Sequence, residues 1–223
     1  INVTLLFSTD HYEAAADAYM KGVERRIGKG LDPAVPSVAS IFLSRWDVAV
    51  ADQVPAELKN RLGVAVGKRT YRAYRELLDS DRWQGLESEG ARAQRLLFAS
   101  TGTKDPEASD TLNIEALVAP NTINTMPDKT LLAFADHGNV GDPIPADGGD
   151  ASRTLAEFAE AGVDTDELAT RLQVEGAKAF ADYIQRISAK IRGNLILPPD
   201  IPGNPEAIFE VVQLPTGEIL DAQ

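Results

Sequence analysis

Four short apolar runs, each ending in small or polar residues and each followed by a helical pattern, constrain this chain more than any other feature. In the first, Ile1, Val3, Leu5, Leu6 and Phe7 are apolar and the run stops at Ser8-Thr9-Asp10. Such a run predicts a strand covered on both faces. Asp10 with Glu13 three residues on has the form of a capping box. Ala15, Tyr19, Met20, Val23 and Ile27 then follow at helical spacing, and Gly28 and Gly30 close the helix. The second run is Val38–Leu43, ending at Ser44-Arg45-Trp46-Asp47, before a long helical region divided near Pro55 and Gly63. Val66, Thr70, Ala73, Tyr74, Leu77 and Leu78 keep the helical period there, so the Tyr71, Tyr74 and Leu78 stripe reads as helix core. The third run, Arg95–Ser100, enters the polar loop Thr101-Gly102-Thr103-Lys104-Asp105-Pro106. A helical turn over Leu112–Val118 precedes a weaker strand, Thr122–Met126, and Pro127 suits the first turn of another helix. Residues 138–150 read as a loop, with helices again near Ser152–Ala161 and Thr165–Lys190.

Four strand–helix alternations predict the α/β class, with a parallel sheet and helices outside it. Chemistry in such folds gathers where loops leave the C-terminal strand ends. Here those ends carry Ser8, Ser44 with Arg45, Ser100 with Lys104, and Asn124 with Thr125. Loop solvation alone also makes strand ends polar, so pattern by itself leaves both readings open.

Composition removes some function classes. With 22 basic and 34 acidic residues the net charge is −12, which speaks against a nucleic-acid or anionic-membrane surface while leaving room for a local anion site. There is no cysteine, so disulfides and thiolate metal sites are excluded. Two histidines, His11 and His137, make a histidine-rich metal site an unattractive reading. No apolar run reaches the roughly 18 residues a membrane span needs, so no membrane insertion is expected. The sequence opens on isoleucine inside a strand pattern, without a signal-peptide pattern, and the expectation is that upstream sequence is missing.

The strings INVTLLFS, SVASIFLSRWD, QRLLFASTGTKDP, LVAPNTINTMP and LATRLQVEGAKAF, in this order over residues 1 to about 182, resemble the second half of a transaldolase. The resemblance implies strands five to eight of an eight-stranded (β/α) barrel, hence a half barrel of four strand–helix units. It also implies a cytoplasmic enzyme of the pentose phosphate pathway that moves a dihydroxyacetone unit between sugar phosphates. That chemistry runs through a lysine Schiff base without metal or organic cofactor, and needs an amine kept neutral by its surroundings. In the family the lysine lies on the fourth strand and the acid–base carboxylates on the first and third. All of these positions would precede Ile1, so no catalytic residue is expected in this chain. Of its eight lysines only Lys104 is beside a strand end, and it reads as an anion contact rather than a surrogate amine.

Carried over by position, the implied substrate or phosphate contacts are Ser8, Arg45, Ser100 and Lys104. Arg45 could instead form an ion pair with Asp47 or another acid. Asn124 and Thr125 read as strand closure. Some transaldolases carry a phosphate-binding arginine five residues after the serine matching Ser8; Glu13 occupies that position, so the charge would fall to Arg45 and Lys104. Asp136-His137 lacks a G-x-S-x-G elbow and reads as a helix end.

After residue 182 the composition changes. Residues 183–223, with PPDIPGNPEA, resemble the start of a TonB/TolA-type C-terminal domain. Pro198, Pro199, Pro202 and Pro205, with Gly203, forbid helix across that string, and Ile208–Leu214, Pro215-Thr216-Gly217 and Glu218–Leu220 read as strand, turn and strand. The expected domains are therefore 1–182 and 183–223, a fusion or a family-specific extension. Three functions follow: transaldolase chemistry completed by missing strands, a non-catalytic chimeric half barrel that self-associates or pairs with a complementary half through open edges, or an envelope interaction module working through the hairpin.

Overall fold

A computed structural model describes residues 1–194, 211–213 and 219–222. They group into two compact units, Ile1–Gly176 and Ala177–Gln223. In the first, β1 (Asn2–Leu6) leads into α1 (Thr9–Ile27), then β2 (Ser37–Phe42) and α2 (Ser44–Val50). A 3-10 turn at Ala56–Leu58 precedes α3 (Leu62–Leu78) and α4 (Asp81–Ser88). Next come β3 (Gln94–Ala99), α5 (Leu112–Ala116), β4 (Ile123–Asn124), α6 (Asp128–His137) and α7 (Ala151–Glu160), followed by α8, which spans Thr165–Asn194. The strands are parallel and lie side by side in chain order, β1-β2-β3-β4. Parallel neighbours joined by helical crossovers in unbroken sequence order are the construction of a (β/α)8 barrel, and this sheet is four strands of one.

The β2–β3 pair is the rigid centre, in register from Ser37 opposite Gln94 to Phe42 opposite Ala99. Alternation sends Ala39, Ile41, Leu96 and Phe98 to one face, where they share a core with Leu62, Val66 and Tyr71 of α3. Tyr12 and Tyr74 meet edge to face in that core with ring centroids 6.3 Å apart, an arrangement the ring quadrupoles favour. Leu78 is only half-buried. A second cluster joins α1 to α4 through Met20, Val23, Trp83 and Leu86.

Three local readings change. β1 is not covered on both faces: Asn2 and Thr4 are exposed while Val3 and Leu5 lean on the core. It is an edge strand whose polar positions follow the period of two, and its pairing slips between Val3 and Leu6 where Leu5 adopts φ 60°. Helix α1 begins two residues early, because the Ser8 hydroxyl, not Asp10, accepts from the His11 amide at 3.1 Å. Gly63 does not interrupt the long helical region but lies in the first turn of α3. A Cβ there would stand 2.7 Å from the Leu43 carbonyl oxygen, so glycine lets α3 approach the end of β2. Pro127 precedes α6 as its cap rather than entering it.

In the second unit, β5 (Val211–Gln213) and β6 (Ile219–Ala222) form an antiparallel pair with Val211 opposite Ala222. The expected turn at Pro215–Gly217 and the proline-rich stretch 198–205 lie outside the described residues.

Candidate functional site

The C-terminal ends of the four strands present the side chains in question, and local geometry decides what each can still do. Ser8 is buried, and its hydroxyl is engaged as the α1 cap. His11 completes the arrangement by accepting the Phe7 amide on Nδ1 at 3.2 Å. Desolvation holds that imidazole below its ordinary pKa, against the opposing pull of Asp10, and a neutral ring is what an accepting Nδ1 requires.

At the ends of β2 and β3 the chain closes on itself. The Leu43 amide donates to the Ala99 carbonyl at 3.1 Å and the Ser44 amide to the Ser100 carbonyl at 3.0 Å. The Ser44 and Ser100 hydroxyls are 2.8 Å apart. Ser100 holds φ 57°, the left-handed region in which a non-glycine residue costs about 1–3 kcal/mol. Arg45, next along α2, forms no ion pair with Asp47. Its guanidinium carbon lies 5.8 Å from the Phe7 ring centroid and 5.2 Å from that of Phe42, a cation–π arrangement joining the ends of β1 and β2. Among the described residues Arg45 has no carboxylate within 4.0 Å, so its charge remains available to an anion.

Asp47 has another task. Its Oδ1 accepts the Leu62 amide at 2.9 Å and the Gly63 amide at 3.3 Å, capping α3 from a distance. Burial pushes its carboxyl up to about 6, with the two amide hydrogen bonds opposing.

The loop after β3 carries Lys104. With Ser44, Asp47, Lys59, Asn60 and Asn113 it lines a cleft of about 380 Å³. The Lys104 side chain is exposed, and its Nζ comes 3.8 Å from where a Cβ on Gly102 would stand. Two buried oxygens along this cleft, Thr103 Oγ1 and Asn113 Oδ1, have no hydrogen-bond partner among the described residues. Asn60 Nδ2 donates to Asp105 Oδ2 at 2.7 Å. Thus Ser44, bonded to Ser100, and Lys104 border one cleft, Arg45 lies instead over the Phe7 and Phe42 rings, and the Ser8 hydroxyl is occupied locally.

Of the remaining sequence candidates, Thr125 and His137 are engaged structurally, while the buried Asn124 Oδ1 has no hydrogen-bond partner among the described residues. The Thr125 amide and hydroxyl both donate to the Phe98 carbonyl, at 3.0 and 3.2 Å. His137 lies between carboxylates, with Nε2 2.9 Å from Asp110 Oδ1 and Nδ1 3.2 Å from Asp136 Oδ2; these hydrogen bonds hold its pKa above the ordinary value. Sequence reasoning missed Asn2, Thr4 and Ser40, which alternation places on the sheet face opposite α3. Ser40 Oγ donates to Asn2 Oδ1 at 2.8 Å across the β1–β2 pair. Polar residues at every second position of apolar strands were the available signal.

Four parallel strand–helix units in chain order, with hydroxyl and cationic side chains at the C-terminal strand ends, define a segment of a (β/α) barrel. The chain belongs to the transaldolase/fructose-6-phosphate aldolase family, whose profile matches residues 1–191. It is 43% identical over 204 residues to a transaldolase of Parafrankia sp. (strain EAN1pec), covering 87% of this chain and 55% of that protein. A transaldolase of Mycolicibacterium paratuberculosis is 44% identical over 192 residues, covering 82% and 52%. A transaldolase of Thiobacillus denitrificans is 43% identical over 199 residues, covering 86% and 55%. The chain therefore spans about half the length of the curated relatives it matches. The family match runs past residue 182 to 191, and the envelope-domain likeness expected for residues 183–223 is not supported by these comparisons. No helix among the described residues is long and apolar enough to cross a membrane.

Proposed function

We propose that this chain forms the phosphate side of a transaldolase site, serving transfer of a dihydroxyacetone unit between sugar phosphates in the pentose phosphate pathway. The observation that carries the reading is that Ser44, whose hydroxyl is bonded to that of Ser100, and Lys104 border one cleft at the C-terminal end of the sheet, with Arg45 following Ser44 on α2 and free of any carboxylate partner among the described residues. Arginine and lysine suit a phosphate dianion, and strand-borne hydroxyls can hold its oxygens without large reorganisation. None of the chain's lysines lies in β1–β6. The amine that condenses with the donor ketone, releasing water to form the Schiff base, would come from residues outside these 223. The chain alone is then inactive.

Borohydride trapping with fructose 6-phosphate tests this directly. No adduct is expected on the chain alone, and one is expected when the N-terminal half of a transaldolase relative is supplied. An adduct on Lys104 of the chain alone would overturn the assignment of that lysine. If the completed protein forms its adduct but Arg45→Gln and Lys104→Gln leave the KM for sugar phosphate unchanged, the phosphate contacts are wrong.

A second, non-catalytic reading is favoured by one observation: β1 and β4 are both edges of the four-stranded sheet, and Asn2 and Thr4 are exposed on β1. Open parallel edges recruit further strands, from a second copy or from a complementary half barrel. Light scattering tests this reading, and a monomer at micromolar concentration counts against it. A separate segment at 183–223, with an envelope-type interaction role for its hairpin, is held only as a proposal. Limited proteolysis that leaves 183–223 attached to the barrel segment would argue against it.

A further inference from the structure

The opposite end of the sheet carries a larger cleft that the family reading does not use. It measures about 750 Å³ and lies at the N-terminal strand ends, lined by Ile1, Ser37, Arg92, Arg95 and Asn121, with Tyr74, Arg75 and Trp83 behind them. That volume is within the range of small-molecule sites, roughly 300–1,000 Å³.

Three arginines converge there in a chain of net charge −12. Five others, Arg61, Arg72, Arg82, Arg153 and Arg171, stand within 4.0 Å of a carboxylate. Arg75, Arg92 and Arg95 have no such partner among the described residues. Arg75 Nε is buried without an acceptor, and its Nη1 reaches only the Tyr71 hydroxyl at 3.3 Å. A buried, unmet guanidinium donor is costly unless something supplies an oxygen.

All three cations come from ordered elements. Arg75 belongs to α3 and Arg95 to the central strand β3. The Arg92 carbonyl lies 2.6 Å from the Tyr19 hydroxyl, which ties its backbone to α1. Burial pushes the Tyr74 phenol up to about 12 while Arg95 and Arg75 pull it down, so both guanidiniums act at the same point. The Tyr74 hydroxyl is itself bonded to the Asn121 carbonyl at 3.0 Å, leaving the guanidiniums as the donors that face the cleft. Asp79 and Glu87 also line it. Their carboxylates weaken the field.

We propose that this cleft is a second anion site, binding a small phosphate-bearing ligand at the end of the barrel opposite the sugar-phosphate site, with Arg75, Arg92 and Arg95 as the phosphate contacts. Planar guanidinium forks on fixed elements match phosphate oxygens in pairs. The inference does not depend on the proposed transaldolase chemistry.

Calorimetric titration of the full chain with inorganic pyrophosphate at low ionic strength tests it. One saturable site should remain when Arg45→Gln and Lys104→Gln together remove the anion contacts proposed at the far end, and its binding should weaken several-fold in 0.5 M salt because Arg92 and Arg95 are solvent-exposed. Arg75→Gln should weaken it at least tenfold and the double variant R92Q/R95Q, which removes two exposed side chains, by more. Asp79→Asn should tighten it. Absence of saturable heat overturns the proposal, as does an R92Q/R95Q variant that still folds and binds like the parent. Loss of binding in Lys104→Gln would assign the anion to the C-terminal end and overturn it equally.

Discussion

The two ends of the sheet use their cations differently. At the C-terminal end Arg45 is laid across Phe7 and Phe42, Ser44 is bonded to Ser100, and Asp47 is consumed by the first turn of α3. Chemistry-bearing groups there are held by short local contacts. At the N-terminal end Arg75, Arg92 and Arg95 stand around a cleft backed by Tyr74 and Trp83, and what holds them is the apolar packing of α1, α3 and α4. One end is positioned by polar closure and the other by core packing. The two proposed sites therefore rest on supports that should fail independently.

Trp83→Ala should produce the largest effect, since the ring is essentially fully buried between α1 and α4. Loss of a buried tryptophan costs about 3–5 kcal/mol, to be read from urea unfolding. A loss below about 1 kcal/mol would break the claim that packing supports the N-terminal end. Gly63→Ala attacks the other end by placing a methyl 2.7 Å from the Leu43 carbonyl oxygen. Backbone cannot yield as a side-chain tip does, so about 2–3 kcal/mol is expected, with the C-terminal site loosened more than the arginine cleft.

Asp47 adds a pH signature to the C-terminal end. Its carboxyl in the folded protein titrates at about 6, raised by burial, above an unfolded value near 4. Folding thus favours the protonated form. That contribution is fully present below about pH 4 and is lost as pH rises through about 6, by an amount on the order of 2 kcal/mol. Asp47→Asn should flatten the fall between pH 4 and 6, and a variant whose stability changes with pH just as the parent's does would remove Asp47 from the account. Ser100→Ala deletes the bond to the Ser44 hydroxyl and leaves a buried oxygen unmet, worth about 1–2 kcal/mol in the same unfolding assay. The smallest effect belongs to His137, which lines neither cleft. Its imidazole should titrate above the usual histidine range by NMR, because Asp110 and Asp136 bond it, and Asp110→Asn should move that midpoint down while leaving the unfolding curve in place.

The strand–helix order was legible because a parallel strand under helices must be apolar and must end where loops begin; Val38–Leu43 and Arg95–Ser100 announced themselves this way. The position of Ser44, Arg45, Ser100 and Lys104 just after strand ends was legible for the same reason, and which of them share a cleft was not. The cap of α1 was not. Asp10 and Glu13 fit the capping pattern as well as Ser8 does, and only backbone geometry at Ser8 decided between them. The Arg45–Asp47 pair was a reasonable expectation from spacing, but Asp47 met the free amides of Leu62 and Gly63, fifteen residues along the chain and adjacent in space.

By itself the sequence determined the α/β class, the four alternating units, the absence of cysteine chemistry and the family likeness carried by five ordered strings. These depend on local periodicity and on residue identity, which a linear chain displays in full. Tertiary structure alone decided which hydroxyls stayed free, which carboxylate capped which helix, and that Arg75, Arg92 and Arg95 meet at one cleft. Those arginines are carried by a helix, a connecting loop and a strand, and side chains from different elements become neighbours only when the sheet and its helices pack.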